Sequence, residues 1–494
     1  ERVMRKKRLA KNITASLVYQ ITALVCAFIL PKLFLLHFGS EVNGLVTSIS
    51  QFLGVISFLE LGVGAVVQSA LYKPLAYHDV EQISKIMVSA NSYVLILLIM
   101  YPMIAQQNFG VVYVASLIAA ISISSFAQYY FGIVNALLLN ADQLSYIQYN
   151  LQTITVILNT AVSAILISAD CSVQIVKLVT SLIYLLRPIV LRIYVKQKYQ
   201  INWKIKYNEE PIQQKWNGVA QHLAAVVLEG TDMMVLTIFS TLSNVSIYAV
   251  YNLVINGVMT LFTALFNGLQ AFFGELFARD DKAASQSSFE MVEWLTHAGM
   301  VWFMGCVWTL IIPFVRVYTY GVFDAEYIQP LFALIIVLAT VFRCLRIPYN
   351  TLILAAGHYK QTQGFYILTA SINLISSIVL VKALGLVGVA IGTLLAMVFH
   401  LLWSWAYVSR NLIKTTLREQ LKLVLVDICV FSLGIIATRL TELKQITYYS
   451  WVLLAIQKAV IWAGLLVAVE YVFYKKRLRE VIRIFFAGLK QSNG

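Results

Sequence analysis

Residues 135–167 read NALLLNADQLSYIQYNLQTITVILNTAVSAILI, and residues 350–381 read NTLILAAGHYKQTQGFYILTASINLISSIVLV. Setting Asn135 on Asn350 brings Leu137, Leu139, Ala141 and Gln148 onto Leu352, Leu354, Ala356 and Gln363. With one residue deleted, Asn159, Ser163 and Leu166 then fall on Asn373, Ser377 and Leu380. Leucine on leucine is cheap in an apolar chain, so the weight rests on the asparagine, glutamine and serine matches. The repeat predicts a duplicated bundle of helices: two similar lobes with a site between them, the plan of alternating-access transporters.

Working outward, 60% of the 494 residues are hydrophobic, 12% are charged and the mean hydropathy is +0.78, outside the range of soluble domains. The composition predicts an all-α polytopic membrane protein, because a helix satisfies its own backbone in lipid and about twenty apolar residues cross a bilayer. Fourteen apolar runs qualify: 13–36, 43–72, 84–105, 110–139, 145–168, 172–195, 217–240, 245–277, 289–320, 327–356, 362–381, 386–408, 420–438 and 447–474. The expected division is an N-lobe of six helices (1–195), a cytoplasmic linker (196–216), a C-lobe of six (217–408), and two further helices with a basic tail (409–494).

A net charge of +14 would suggest nucleic acid in a soluble protein, but here the basic residues sort by loop. With the N-terminus cytoplasmic, the basic clusters at 2–11, 192–215, 410–422 and 475–490 all lie inside, and only Lys382, Arg439 and Lys444 fall outside. That is the positive-inside rule, and it requires an even number of spans and two cytoplasmic termini. Cys26, Cys171, Cys306, Cys344 and Cys429 show no paired spacing, so neither a disulfide framework nor a zinc site is expected. The chain starts at Glu1 with RVMRKKRLAKN, too basic for a cleavable signal, so the first helix is expected to serve as an uncleaved insertion signal.

Within FGSEVNGLVTSISQFLGVISFLELGVGAVVQSALYKP, residues 38–74, Gly44-Leu45 closes a short outer turn, Glu60-Leu61-Gly62 sits mid-helix and Tyr72-Lys73-Pro74 marks an inner turn. In this order the three motifs resemble the second helix of bacterial polysaccharide flippases. Asp232, the turn at residues 245–248, Pro313, Gly321, Tyr327 and Ala356-Gly357-His358-Tyr359-Lys360 extend the resemblance over nearly the whole chain. That family belongs to the multidrug/oligosaccharidyl-lipid/polysaccharide exporter superfamily, with multidrug exporters and the flippase for the peptidoglycan precursor lipid. The resemblance implies a V-shaped pair of six-helix lobes in the bacterial cytoplasmic (inner) membrane. It also implies a secondary transporter that flips an undecaprenyl-diphosphate-linked oligosaccharide, an O-antigen or similar repeat unit of lipopolysaccharide or surface polysaccharide, to the outer leaflet. Membrane lipids, a polysaccharide polymerase and chain-length machinery are the partners it implies. Peptidoglycan-type flippases are similar in carrying an extra helix pair after the twelfth helix.

The polar stretch KQKYQINWKIKYNEEPIQQK, residues 196–215, is the expected interlobe linker, either solvated or lying on anionic lipid. No Gly-x-x-x-x-Gly-Lys-Ser/Thr loop occurs, so nucleotide hydrolysis is not expected; a proton or sodium gradient or the membrane potential must supply the work. No nucleic-acid partner and no other cofactor is expected.

A charge at the bilayer centre costs roughly 3 kcal/mol or more, which makes intramembrane ionisable residues functional candidates unless they snorkel. Glu229 and Asp232 share one face of the seventh span. Two carboxylates so close suit reversible proton or sodium binding; a static ion pair is the alternative. Glu60, beside Gly62 and Gly64, serves either helix packing or ion coupling. Arg343 and Arg346 stand where the first repeat has Gln128 and Phe131, an asymmetry that suggests an anionic ligand, since guanidinium forks match diphosphate oxygens. Arg187 and Lys32 are further cavity candidates, with snorkelling the alternative for each, and Lys32 is a candidate cross-lobe partner of Asp232. Lys177 and Arg316 read as anchors, Lys458 as a contact to a neighbouring helix, and His222, His297 and His400 as scattered histidines without ligand spacing. Pro31, Pro102, Pro188, Pro313 and Pro348 are expected bending points. Two other readings remain: export of organic cations on the same scaffold, which needs an acidic cleft, and a membrane polymerase or ligase, which needs a larger outer loop than any here.

Overall fold

Among the described residues every regular element is a helix. The computed structural model describes residues 2–76, 79–90, 109–128, 132–199, 201–202, 230–264, 266 and 269–480. In chain order the helices are α1 (Arg2–Ala76), α2 (Val80–Ala90), α3 (Val111–Ala127), α4 (Ile133–Ala141), α5 (Ser145–Ser168), α6 (Val173–Tyr199) and α7 (Gly230–Phe239). They continue with α8 (Leu242–Ala264), α9 (Leu269–Ala278), α10 (Lys282–Tyr318), α11 (Pro330–Ala355), α12 (Tyr359–Leu384), α13 (Leu386–Asn411), α14 (Leu417–Thr438) and α15 (Tyr448–Phe473). Ten stretches in these helices are long and apolar enough to cross a membrane, and α3 and α7 are shorter apolar helices. The chain is a multi-pass membrane protein.

The expected runs from 145 to 195 and from 289 to 474 return as single helices with ends displaced by a few residues. The first two runs are joined in α1, whose one non-helical residue is Gly39 (φ 79°, ψ 177°). The runs 110–139 and 245–277 are each divided between two helices, α3 with α4 and α8 with α9. Most of the expected linker and much of the runs 84–105 and 217–240 lie outside the described residues.

The helices are amphipathic in the sense opposite to soluble ones. On α5, Ile154 and Ile165 point outward at 61% and 67% exposure, while Asn159 and Ser163 are buried. Lipid accepts the isoleucines at no cost, whereas an amide or hydroxyl must find its partner inside the bundle.

The chain divides into two compact units, residues 1–249 with 321–325, and residues 250–320 with 326–494. In the first unit, α1 packs on α5 and α4, and α3 on α6. Asn12 of α1 ties the start of α5: its Nδ2 donates to the Gln143 carbonyl at 2.9 Å, and its Oδ1 accepts from the Tyr146 amide at 2.8 Å. In the second unit, α13 packs on α12 and α11, and α10 carries α11, α14 and α15. There the Trp462 indole fills a slot between Gly305 of α10 and Gly434 of α14, where an added Cβ would come within 2.6 and 2.3 Å of the ring. Lys458 donates to the Thr309 carbonyl at 2.8 Å, so the deep lysine of the last helix is a helix–helix contact, as its position suggested.

The internal repeat is visible in the backbone, with a correction to its register. Both helix ends close with the same pair of bonds: Leu144 N to Leu139 O and Gln143 N to Asn140 O in the first repeat, His358 N to Ile353 O and Gly357 N to Leu354 O in the second. Gln143 (φ 58°) and Gly357 (φ 71°) occupy the left-handed position of this C-terminal motif. One turn apart on the next helix, Ser163 donates to Asn159 Oδ1 and Ser377 to Asn373 Oδ1, each at 3.2 Å. Turn and asparagine match at the same spacing of 214 residues, so no deletion is needed. Asn135 therefore corresponds to Tyr349 rather than Asn350, and Gln148 to Thr362 rather than Gln363.

Candidate functional site

After the break at Gly39, α1 presents Ser40, Asn43, Gly44, Ser48 and Gln51 at spacings that put them on one face. That face meets residues 230–246, antiparallel, in a polar seam inside the first unit. Asn43 Nδ2 donates to Ser246 Oγ at 2.7 Å, and Gln51 Nε2 donates to the Gly230 carbonyl at 3.1 Å. The Ser48 and Thr237 hydroxyls lie 2.7 Å apart. Thr237 donates to the Met233 carbonyl at 2.7 Å, which leaves Ser48 as the donor between them. Gly44 lets the helices close: a Cβ there would stand 1.9 Å from the Leu242 carbonyl oxygen. The Gly-Leu pair singled out in the sequence thus has a steric reason, and its Leu45 is fully buried.

At the end of the seam, Asp324 takes both Ser40 donors, the amide on Oδ2 and the hydroxyl on Oδ1, each at 2.6 Å. The carboxylate serves as N-cap where α1 resumes after its break, the place where amides lack intrahelical partners and the helix dipole favours negative charge. Gly39 is required twice over, by its positive φ and by the Asp324 oxygen 2.7 Å from where its Cβ would be.

Asp232 stands on α7 next to this seam, 7% exposed, with Oδ2 accepting from the Tyr248 hydroxyl at 2.8 Å. Glu229 and the Glu60 side chain lie outside what the structure describes. Lys32 is half-buried on α1. Arg187 on α6 is held within the first unit: Nε donates to Thr155 Oγ1 at 2.6 Å, and the guanidinium lies 4.2 Å from the Tyr184 ring centroid. Arg343 and Arg346 are half-buried on α11 in the second unit. Arg346 Nη1 donates to His400 Nδ1 at 2.9 Å, so this arginine engages α13. Buried His400 in turn stacks edge-on against Tyr366 at 4.9 Å.

The seam joins its elements through hydroxyls, two side-chain amides and a backbone carbonyl, with one carboxylate at its exposed end. Each such bond contributes about 1 kcal/mol net, and both partners can turn to water when it opens. Such a joint can therefore open without stranding a buried charge.

Sequence reasoning missed a second concentration of polar side chains, in the second unit: Glu293 and His297 on α10, Asp427 on α14 and Glu470 on α15, all buried. Glu293 and His297 stand one turn apart and Asp427 sits mid-span, so the signal was there for a search of every intramembrane carboxylate. Histidine spacing along the chain was the wrong test, because the partner of His297 lies 130 residues away. Among the described residues no group of three or more His, Cys, Asp and Glu side chains is arranged to hold a metal ion.

No protein-family model matches the chain, and no curated protein matches it. Its fold does recur among solved structures. A lipid II flippase, MurJ in an inward closed conformation, is 14% identical with a TM-score of 0.70, covering 94% of this chain and 100% of its own. An inward-facing multidrug resistance MATE family transporter of the MOP superfamily is 13% identical with a TM-score of 0.55, over 78% of this chain and 95% of its own. A MOP superfamily transporter from Pyrococcus furiosus is 13% identical with a TM-score of 0.54, over 81% and 95%. At such identities the likeness establishes a shared fold.

Proposed function

We propose that the chain is a secondary transporter of the oligosaccharidyl-lipid branch of that superfamily, flipping an undecaprenyl-diphosphate-linked oligosaccharide from the cytoplasmic to the outer leaflet. The observation that carries this reading is the extent of the match: the lipid II flippase aligns with 94% of the chain, whereas the multidrug transporter aligns with 78%. The polysaccharide motifs at Gly44-Leu45 and Glu60-Leu61-Gly62 favour a lipid-linked sugar within that branch.

In this mechanism Arg343 and Arg346 on α11 hold the diphosphate, Lys32 and Arg187 on the first unit each offer a further cation to the substrate, and the isoprenoid tail stays in lipid. Guanidinium forks suit the task because they offer parallel donors to neighbouring phosphate oxygens. Asp232, with Glu229 and Glu60, couples reorientation to proton or sodium movement. The seam between residues 40–51 and 230–246 opens and closes on the side that the sequence assigns to the outer face. The host membrane is the bacterial cytoplasmic membrane, with both termini inside and the polysaccharide polymerase downstream.

The test is deletion of the gene in its own host and complementation, scored by the surface polysaccharide that returns. Wild type restores it, and Arg343→Ala and Asp232→Asn at equal membrane abundance do not. Restored resistance to cationic drugs without restored polysaccharide would assign the chain to multidrug export instead.

A further inference from the structure

Four helices of the second unit converge on one buried ionisable network. His297 Nδ1 of α10 lies 2.6 Å from Asp427 Oδ2 of α14, both under a tenth exposed. One turn earlier, Glu293 Oε1 accepts from the Tyr349 hydroxyl of α11 and, at 2.9 Å, from Nε2 of Gln420 on α14. Between them Trp294 donates Nε1 to Glu470 Oε2 of α15 at 2.7 Å. Glu293 and Glu470 also act electrostatically on the His297 ring, so the four groups form one coupled set.

On α10, Glu290 pairs with Arg477 at 3.2 Å, and Arg477 also acts electrostatically on Glu293 and Glu470. From α11 comes the phenol of Tyr349. From the α14 side, Lys422 lies 4.6 Å from the Tyr474 ring centroid. On α15, Lys458 sits three turns above Glu470, bound to the Thr309 carbonyl. Tyr474, just past the end of α15, has its phenol pushed up to about 12 by burial and by Glu470. Fully ionised, the network would hold three carboxylates against one imidazolium. Excess charge in a low-dielectric bundle is expensive by several kcal/mol per ion, and a proton removes it at the least structural cost. Closely spaced groups then take up protons as a set.

We propose that Glu293, His297, Asp427 and Glu470 form a proton-binding site that joins α14 and α15 to α10 and α11. The network runs from the last turn of α15, at Glu470, through the first half of α10, at Glu293 and His297, to the middle of α14, at Asp427, on the half of these helices that the sequence assigns to the cytoplasm. The last helix pair is thereby a proton-bearing part of the machine rather than a passive addition. The site stands whatever the transported substrate.

The test is infrared difference spectroscopy on the purified full chain, titrated between about pH 5 and about pH 8. Wild type shows a protonated-carboxyl band that grows on acidification; the triple variant Glu293→Gln, Asp427→Asn, Glu470→Gln loses it, and His297→Gln shifts its midpoint. A band identical in wild type and triple variant overturns the proposal. Should the triple variant fail to fold, Glu293→Gln and Glu470→Gln are measured singly with circular dichroism to verify folding. Folded single variants that both keep the wild-type amplitude and midpoint overturn it equally.

Discussion

Ser48 of α1 and Thr237 of α7 meet hydroxyl to hydroxyl at 2.7 Å, and solvent reaches neither side chain. The bond has the ordinary hydroxyl–hydroxyl length, its donor is settled by the Thr237 to Met233 contact, and it joins the two helices through exchangeable groups. If transport requires this joint to part, tying it shut must stop transport. The double variant Ser48→Cys, Thr237→Cys should form a disulfide on oxidation, lose polysaccharide complementation, and regain it with reductant. Full activity of the oxidised, quantitatively linked protein would show that the seam is static.

Gly44 permits that approach, so its replacement should disturb the seam without touching a charge. Gly44→Ala places a methyl 1.9 Å from the Leu242 carbonyl oxygen, and the helices must separate. Overpacking of this kind costs typically 1–3 kcal/mol, which predicts a lower melting temperature for the purified protein. Gly54, with no atom within 4 Å of an added Cβ, is the control: Gly54→Ala should leave the melting temperature at or slightly above wild type.

The duplicated turn supports a prediction of opposite sign. Gln143 occupies the left-handed conformation that Gly357 occupies in the second repeat. A side chain there costs roughly 1–2 kcal/mol. Gln143→Gly should raise the melting temperature and Gly357→Ala should lower it, and equal effects of the two would contradict the repeat geometry.

Much of this fold was legible because lipid imposes a coarse rule: an apolar run of about twenty residues is a helix. The ends of α5, α6 and α10 to α15 lie within a few residues of the runs read from hydropathy. What hydropathy could not show was the join of two runs in α1, since the break at Gly39 is a single residue and the cap that follows it, Asp324 on Ser40, comes from 284 residues away. Among site residues, Asp232 was legible as a buried carboxylate. The ties of Arg187 to Thr155 and of Arg346 to His400 depend on which helices are neighbours, and one sequence does not supply that. Asp427 and Glu470 lie beyond the repeat, and their partners His297 and Trp294 are 130 and 176 residues away, so no local spacing marks them.

The docking of the last helix pair should be sensitive to one side chain. Trp462 is fully buried between Gly305 and Gly434. Trp462→Ala empties the slot, at a cost of about 3–5 kcal/mol for a buried aromatic. Protease cleavage in the connection between α14 and α15 should then precede global unfolding on heating, whereas wild type should lose both together.

The most direct measurement reconstitutes the purified chain in vesicles carrying an undecaprenyl-diphosphate-linked oligosaccharide and follows the fraction of sugar accessible from outside. The account predicts faster redistribution between leaflets with the wild-type chain than in protein-free vesicles, and a return toward the protein-free rate with Arg343→Ala and Arg346→Ala combined. Redistribution no faster than in protein-free vesicles, in a preparation that transports small organic cations, would contradict it.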